Sequence, residues 1–426
     1  MQRILKILLL APFIAVAATA VWGQDVDYGD ADRVLPAAKA LPPEMIEGEH
    51  FKVLDPVVNK FCLDQFRIQS DYGEFEAYGQ MMLRIRLREI AALGRIEKVK
   101  ASEVWIKAAG REVGQSVTAM GRIIVHPVRT AKGIKEGIAK RFRKTKRDVV
   151  EDVGTATGEG TAGDKAAKLG SRFLGIEKSY RQWSKRLGVD PYTSNPVLQN
   201  ELQRVAKVDA GAALGAKIIV PRLPGTGLIR DVYSAVWSYD PRELVELNTR
   251  SLVEIGIPRE LMDELFAQQF FTPSTTTALV AALVDLEGVG DRHILVEQAL
   301  PTYSEPEAMY FLECILMAAW FHSNEEPLMK MIGGTGIPVG QTESGRIIAF
   351  DGSDFPHWRE YTVPLANEFN DAYKHISADR EIWIAGGAAQ SYKDQVEGLG
   401  WKVRTGNRVK YLPRIPWGIL PGEEED

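Results

Sequence analysis

Cysteine is almost absent: Cys62 and Cys314 are the only two in 426 residues. That scarcity excludes a disulfide-stapled scaffold and any Cys-x-x-Cys redox or zinc pair. It also excludes a lipoprotein, because lipid attachment needs a cysteine at the cleavage point of an export signal. The two could form a single disulfide in an exported protein, but their number does not show that they meet. Cys314 falls in the apolar helical run 311–320, the setting of a small buried hydrophobe.

Histidine is scarce as well. The six are His50, His126, His293, His322, His357 and His375, and none pairs with another at a spacing that would hold a metal on one helix. There is no His-Glu-x-x-His helix, no Gly-x-Ser-x-Gly elbow, no phosphate loop and no Gly-x-Gly-x-x-Gly after a strand. No metal and no cofactor is implied. Nor is there a strong excess of charge: 52 Lys and Arg against 57 Asp and Glu leave a formal charge of −5, so nucleic acid is not an expected partner. At 45% hydrophobic residues the chain is not disordered, and its length suits two or three domains of about 100 to 200 residues.

The first residues have the form of an export signal. Arg3 and Lys6 give a positive start, residues 7–17 are apolar apart from Pro12, and Ala18-Thr19-Ala20 offers the small-x-small pattern of a cleavage site. A signal peptide over 1–23 is expected, with the mature chain starting near Val21 or Gln24. The rival is an uncleaved anchor, for which the run is short, since a spanning helix wants about 20 apolar residues. Periplasmic or envelope-associated localisation follows. Residues 24–50 are acidic and then Pro-containing with no sustained period, so a mobile mature N-terminus is expected. Asp25, Asp27, Asp30 and Asp32 lack the glycine placement and closing glutamate of a calcium loop.

Beyond residue 50 the expected fold is mainly α with a smaller α/β C-terminal element: a multi-helix array plus a β-hairpin and a short βαβ-like unit. Residues 51–150 should be a helical region, with a long amphipathic helix from Tyr78 to about Lys107. It should end in a basic segment, where residues 129–147 hold nine Lys or Arg and a single Glu. Ile134, Ile138 and Phe142 stand at i, i+4 and i+8, and Lys132, Lys135, Lys140, Arg141, Arg143, Lys144, Lys146 and Arg147 surround them, the pattern of an interfacial helix. Such a segment docks on an anionic membrane surface or an acidic envelope partner; equally, its apolar residues could pack on the protein's own body or on another chain. Residues 151–170, rich in Gly and Thr, are expected to be a flexible linker.

Residues 171–330 should form a helical domain. Residues 188–196, with Pro191 and Pro196, make a turn-rich connection. Pro-Arg-Glu-Leu occurs at 241–244 and again at 258–261, with Asp240 as an N-cap, and further starts are expected at Ser274 and at the capping box Ser304-x-x-Glu307. Residues 331–412 should form the α/β element. It comprises a hairpin over 337–350 turning at Glu343-Ser344-Gly345, then a strand at 381–385, a helix at 389–399 and a strand at 401–404. Residues 413–426 read as a Pro-rich acidic tail.

If there is an acid–base site, Asp354 and His357 are the first candidates, because a histidine near a carboxylate can be held in one tautomer. The phrases His126-Pro127-Val128-Arg129-Thr130, residues 187–199 and residues 382–403 resemble stretches in exported bacterial proteins of unknown function. That resemblance implies an envelope location and brings no catalytic residues. The expected role is a non-enzymatic envelope protein whose basic segment engages an anionic surface or acidic partner. The alternatives are an envelope hydrolase built around Asp354 and His357, and a structural subunit that binds another chain through Ile134, Ile138 and Phe142.

Overall fold

A computed structural model describes residues 33–60, 62–102, 105–106, 162–212, 228–333, 336–359 and 362–412. The described residues are mainly helical, with two five-stranded sheets. The expected signal segment, the basic segment from Lys132 to Arg147, residues 151–161 of the expected linker and the expected tail lie outside them.

The first sheet corrects two expectations. Residues 33–50 are ordered: β1 (Val34–Leu35), α1 (Ala37–Ala40), a 3-10 turn at Pro43–Met45 and β2 (Glu47–Gly48) lead into β3 (Phe51–Lys60). The region expected to be helical from residue 51 begins instead as an antiparallel meander of β3, β4 (Leu63–Ser70) and β5 (Gly73–Tyr78). Alternation explains it: Val53, Val57, Phe66, Ile68, Phe75 and Ala77 are buried while Lys52, Arg67 and Glu74 face solvent, a period of two rather than 3.6. Residues 33–50 stay in place because β1 and β2 pair with β3 and because Asp55 accepts the Ala37 N–H at 2.6 Å, holding the start of α1.

The long helix, α2 (Gln80–Lys100), is present but is not amphipathic in the ordinary sense. Leu83, Leu87, Ile90 and Leu93 are buried, and so are Arg84, Arg86, Arg88 and Glu89. It packs on β4 and β5 of the sheet and on α4 (Pro196–Ala212), which packs in turn on α3 (Ala162–Leu187). Apolar spacings of two to three residues are what a helix packed on several sides needs. Residues 162–170 belong to α3, so the expected linker gives way to helix there.

The helical array follows as α5 (Leu228–Ser238), α6 (Pro241–Glu254), α7 (Arg259–Ala267), α8 (Pro273–Asp285), α9 (His293–Ala299) and α10 (Glu305–Asn324). Asp240 caps α6 with a complete capping box, and Ser304 accepts the Glu307 N–H at the start of α10. The start of α8 lies two residues before the expected one: Thr272 is the cap and Pro273 takes the first helical position, where its missing N–H costs nothing. α10 is buried along most of its length and packs on α8 and on the second sheet.

That sheet has the order β10-β9-β8-β7-β6. β7 (Val339–Thr342) and β8 (Ile347–Asp351) form the expected hairpin, and β9 (Arg380–Ile384), α12 (Gln390–Gly398) and β10 (Lys402–Arg404) form the expected βαβ unit with parallel strands. Two further elements complete it: β6 (Leu328–Ile332) pairs with β7, and α11 (Thr362–Tyr373) carries the chain from β8 to a parallel β9. A short α13 (Arg408–Tyr411) returns to α10. One core runs from Ala37 to Tyr411 through the meander, the array and one face of this sheet; a smaller core around Tyr373, Tyr392 and Trp401 fills the other face.

Candidate functional site

Asp354 and His357 lie in the loop after β8, at the carboxyl end of the parallel strands, where open α/β sheets place their ligands. Here that end is filled by the β3–β4 turn. The Cys62 carbonyl accepts the Asp354 and Phe355 N–H groups at 2.9 and 3.1 Å. The Asp354 carboxylate accepts the Asp64 N–H at 2.9 Å and the Gln80 N–H at 3.2 Å, and pairs with Arg408 at 2.8 Å. It thereby holds the start of α2 and joins it to α13. Arg408 also binds Glu313 of α10, which accepts the Tyr411 hydroxyl at 2.9 Å. Asp64, beside this group, accepts from Asn59 at 2.8 Å; burial and then the Asp354 charge push its carboxyl up to about 6. His357 is buried, its ring 5.1 Å from that of Phe355. The glycine turn 386–387 after β9 cannot cradle an anion, since its N–H groups donate to the Ser353 and Asp354 carbonyls at 2.9 Å.

The two cysteines come to this same loop as free thiols; of the two readings the sequence left open, the single disulfide is not formed here and Cys314 is the small buried residue. The Cys314 sulfur accepts the Gly352 N–H at 3.1 Å. Burial, followed by the Asp351 charge, pushes the Cys62 thiol up to about 12, with the His357 backbone N–H working against the rise. Burial also raises the Cys314 thiol. Each sulfur sits in its own hydrogen-bonded niche, and thiols so far from ionising are poor nucleophiles.

A different place in the molecule has an open cavity. Residues 188–195, between α3 and α4, pass over the middle of α2 and the starts of α8 and α10, leaving a half-open cleft of about 30 Å³. Its walls are Met82 and Ile85 of α2 and Met309 and Leu312 of α10; its polar groups are Arg86, Glu89, Asp190, Thr193, Ser194, Thr272, Thr275 and Glu305. The connection is shaped by its own side chains. Asn195 caps α4 by accepting the Val197 N–H at 3.0 Å, Asp190 accepts the Tyr192 N–H at 2.7 Å, and Gly188, at φ +67°, turns the chain so that its carbonyl meets Arg88 at 2.5 Å.

Across the cleft Glu89 pairs with Arg86 at 2.6 Å and accepts from Thr193 and, at 3.0 Å, from Asn195. Arg86 donates to the Ser194 hydroxyl at 2.6 Å, which donates to Glu305 at 2.5 Å. Asp190 is 8% exposed. Its Oδ1 takes both of its hydrogen bonds, from Tyr192 N–H and from the Ser274 hydroxyl at 2.5 Å; among the described residues Oδ2 takes none. Burial pushes the Asp190 carboxyl up to about 7, the two hydrogen bonds working against the rise and the charges of Glu89 and Glu305 adding to it. A carboxyl that changes charge near neutrality, with one open oxygen in a cavity, can accept or release a proton with whatever enters.

Sequence reasoning took residues 188–196 as a connection and missed the cleft. The available signal was density: Asp190, Tyr192, Thr193, Ser194 and Asn195 are five side chains with polar groups in six positions. The partners are remote in sequence: Arg86 and Glu89 are charged residues of an amphipathic helix pattern, and Ser274 reads as a helix start. Among the described residues no cluster of His, Cys, Asp or Glu could hold a metal ion, and no helix is long and apolar enough to cross a membrane. No protein-family model, curated protein or solved structure matches the chain.

Proposed function

We propose that this is an exported envelope protein that binds a small polar ligand in the Glu89–Asp190 cleft. The carrying observation is the Asp190 carboxyl, which stands in the cleft wall with both of its hydrogen bonds on Oδ1, so that among the described residues Oδ2 is left to accept from whatever enters the cleft. The cleft is assembled from α2, the 188–195 connection, α8 and α10, so it exists only in the folded chain. A hydrolase centred on Asp354 and His357 draws less support: Asp354 is engaged by two backbone N–H groups and Arg408, and the thiol beside His357 is held protonated.

Methionine methyl NMR tests the reading, since Met82 and Met309 line the cleft while Met45 and Met331 are buried outside it. A set of small amines, alcohols and carboxylic acids is titrated into the full chain. Ligands that move Met82 and Met309 and leave Met45 and Met331 in place support the cleft; a set that moves none overturns it.

Attachment of this binding protein to an anionic surface, or to an acidic partner, rests on the nine basic residues and single Glu of 129–147. Each basic residue near anionic headgroups contributes about 1 kcal/mol before screening. Co-sedimentation with anionic liposomes should weaken with salt and disappear when Lys140, Arg141, Arg143, Lys144, Lys146 and Arg147 become Gln. Absence of binding at low salt removes the membrane from the proposal.

A further inference from the structure

Taking the cleft as the ligand site, we infer that the group it receives is a primary alkylammonium, its nitrogen at Asp190 Oδ2 and its alkyl stem along Met82, Ile85, Met309 and Leu312. Three properties of the cleft lead there.

The first is charge. Among the described residues, Glu89, Asp190 and Glu305 face the cleft against a single cation, Arg86, which is already 2.6 Å from Glu89 and 3.8 Å from Glu305. A carboxylate or phosphate entering would meet surplus negative charge. The positive ends of α8 and α10 also point this way, and they would favour an anion, but the hydroxyls of Thr272 and Thr275 and the carboxylate of Glu305 already stand at those ends.

The second is hydrogen bonding. The open atom is an oxygen of a carboxyl group, and an ammonium offers three donors and no acceptor. An alcohol offers one donor and leaves the charge unmatched; a quaternary ammonium offers none.

The third is size and lining. A cavity of about 30 Å³ has room for roughly two water-sized groups, at about 10–15 Å³ each. That suffices for an ammonium and its first methylene but not for a sugar ring. The walls are thioether and branched aliphatic side chains, which suit a methylene stem passing toward the mouth.

The test is a titration of the full chain with pentylamine, 1-pentanol and pentanoate, read on the Met82 and Met309 methyls. Two further arms, 1,5-diaminopentane and N-acetyl-lysine methylamide, separate a free amine from a lysyl side chain as the source. Pentylamine is expected to bind at least about tenfold more tightly than 1-pentanol, a difference of about 1.4 kcal/mol, and pentanoate not at all. Asp190→Asn should weaken the amine at least about tenfold while keeping an acceptor for Tyr192 and Ser274. Glu305→Gln, at the more exposed rim, should weaken it several-fold without touching the core. Because Arg86, Glu89 and Glu305 are the other charged groups facing Asp190, and ammonium favours its ionised form, affinity should fall several-fold from about pH 8 to about pH 6. Binding of pentanol equal to pentylamine, or of pentanoate alone, overturns the alkylammonium inference while leaving the cleft as a site. Amine binding that survives Asp190→Asn unchanged overturns the assigned contact. Silence of both methyls toward every probe overturns this inference and the cleft reading together.

Discussion

Asp190 and Asp64 contribute to how the protein responds to pH. Folding lifts the first to about 7 and the second to about 6, in each case chiefly by burial. A carboxyl raised on folding binds its proton more tightly in the native state. Its stabilising contribution is complete below the unfolded value, near 4, and is lost as pH rises through the folded values. Unfolding by urea should therefore show stability falling by a few kcal/mol between about pH 5 and about pH 8. Asp190→Asn should flatten the upper part of that decline, and a stability that instead rises across this window would contradict the burial of these groups. The thiols give a second residue-level expectation. With Cys62 held up to about 12 and Cys314 raised as well, neither should take up iodoacetamide in the native protein at about pH 8, and both should do so in urea. Mass spectrometry distinguishes these outcomes and also detects a disulfide.

Single helix starts and tight crossings carry measurable energies at the level of elements. Asp240 accepts the Arg242 and Glu243 N–H groups at 2.8 and 3.0 Å and completes a capping box, so Asp240→Ala should cost about 1 kcal/mol. Two glycines differ in what surrounds them. A methyl at Gly386 would stand 2.1 Å from the Asp354 carbonyl oxygen, which is backbone and part of the junction with the meander. At Gly94 of α2 the obstacle is the His50 ring at 2.2 Å, an imidazole near the surface that can turn away. Gly386→Ala is expected to destabilise by about 3 kcal/mol or more and Gly94→Ala by about 1 kcal/mol, compared by thermal unfolding. Equal effects would mean that His50 is as fixed as a strand-end loop.

At the scale of the whole molecule, distant parts that share one apolar core also meet at one buried group of charges. Arg408 of α13 binds Glu313 of α10 and Asp354 after β8, while Asp354 binds the backbone of β4 and of the first residue of α2. Three parts that are far apart in sequence meet there. Removing the cation leaves two buried carboxylates without a counter-charge, so Arg408→Met should cost about 3–5 kcal/mol. If the parts unfold together in the parent protein, this variant is expected to broaden or split the urea transition, with the meander separating from the second sheet. A single sharp transition shifted by less than about 1 kcal/mol would mean that the shared apolar core alone joins them.

Local chemistry in the sequence was enough for the mainly helical character, the caps at Asp240 and Ser304, the β7–β8 hairpin and the β9–α12–β10 unit, because propensity, capping and turn residues act within a few positions. It was not enough for the order of residues 33–50, whose short β1 and β2 exist only by pairing with β3. Nor was it enough for β3–β5, where a strand alternation gains weight only beside its neighbours. The clearest case is α2. Arg84, Arg86, Arg88 and Glu89 look like a solvent face in one dimension, and folding buries them. Desolvation then requires partners for such groups: for Arg86 and Glu89 these are Thr193, Ser194, Asn195 and Glu305, more than a hundred positions away. Short-range patterns were sufficient for the helices, their caps, the hairpin and the turns. Which polar side chains leave water, and so where the cleft and its titrating carboxyl lie, follows from packing, because burial is a property of the packed chain and not of any segment.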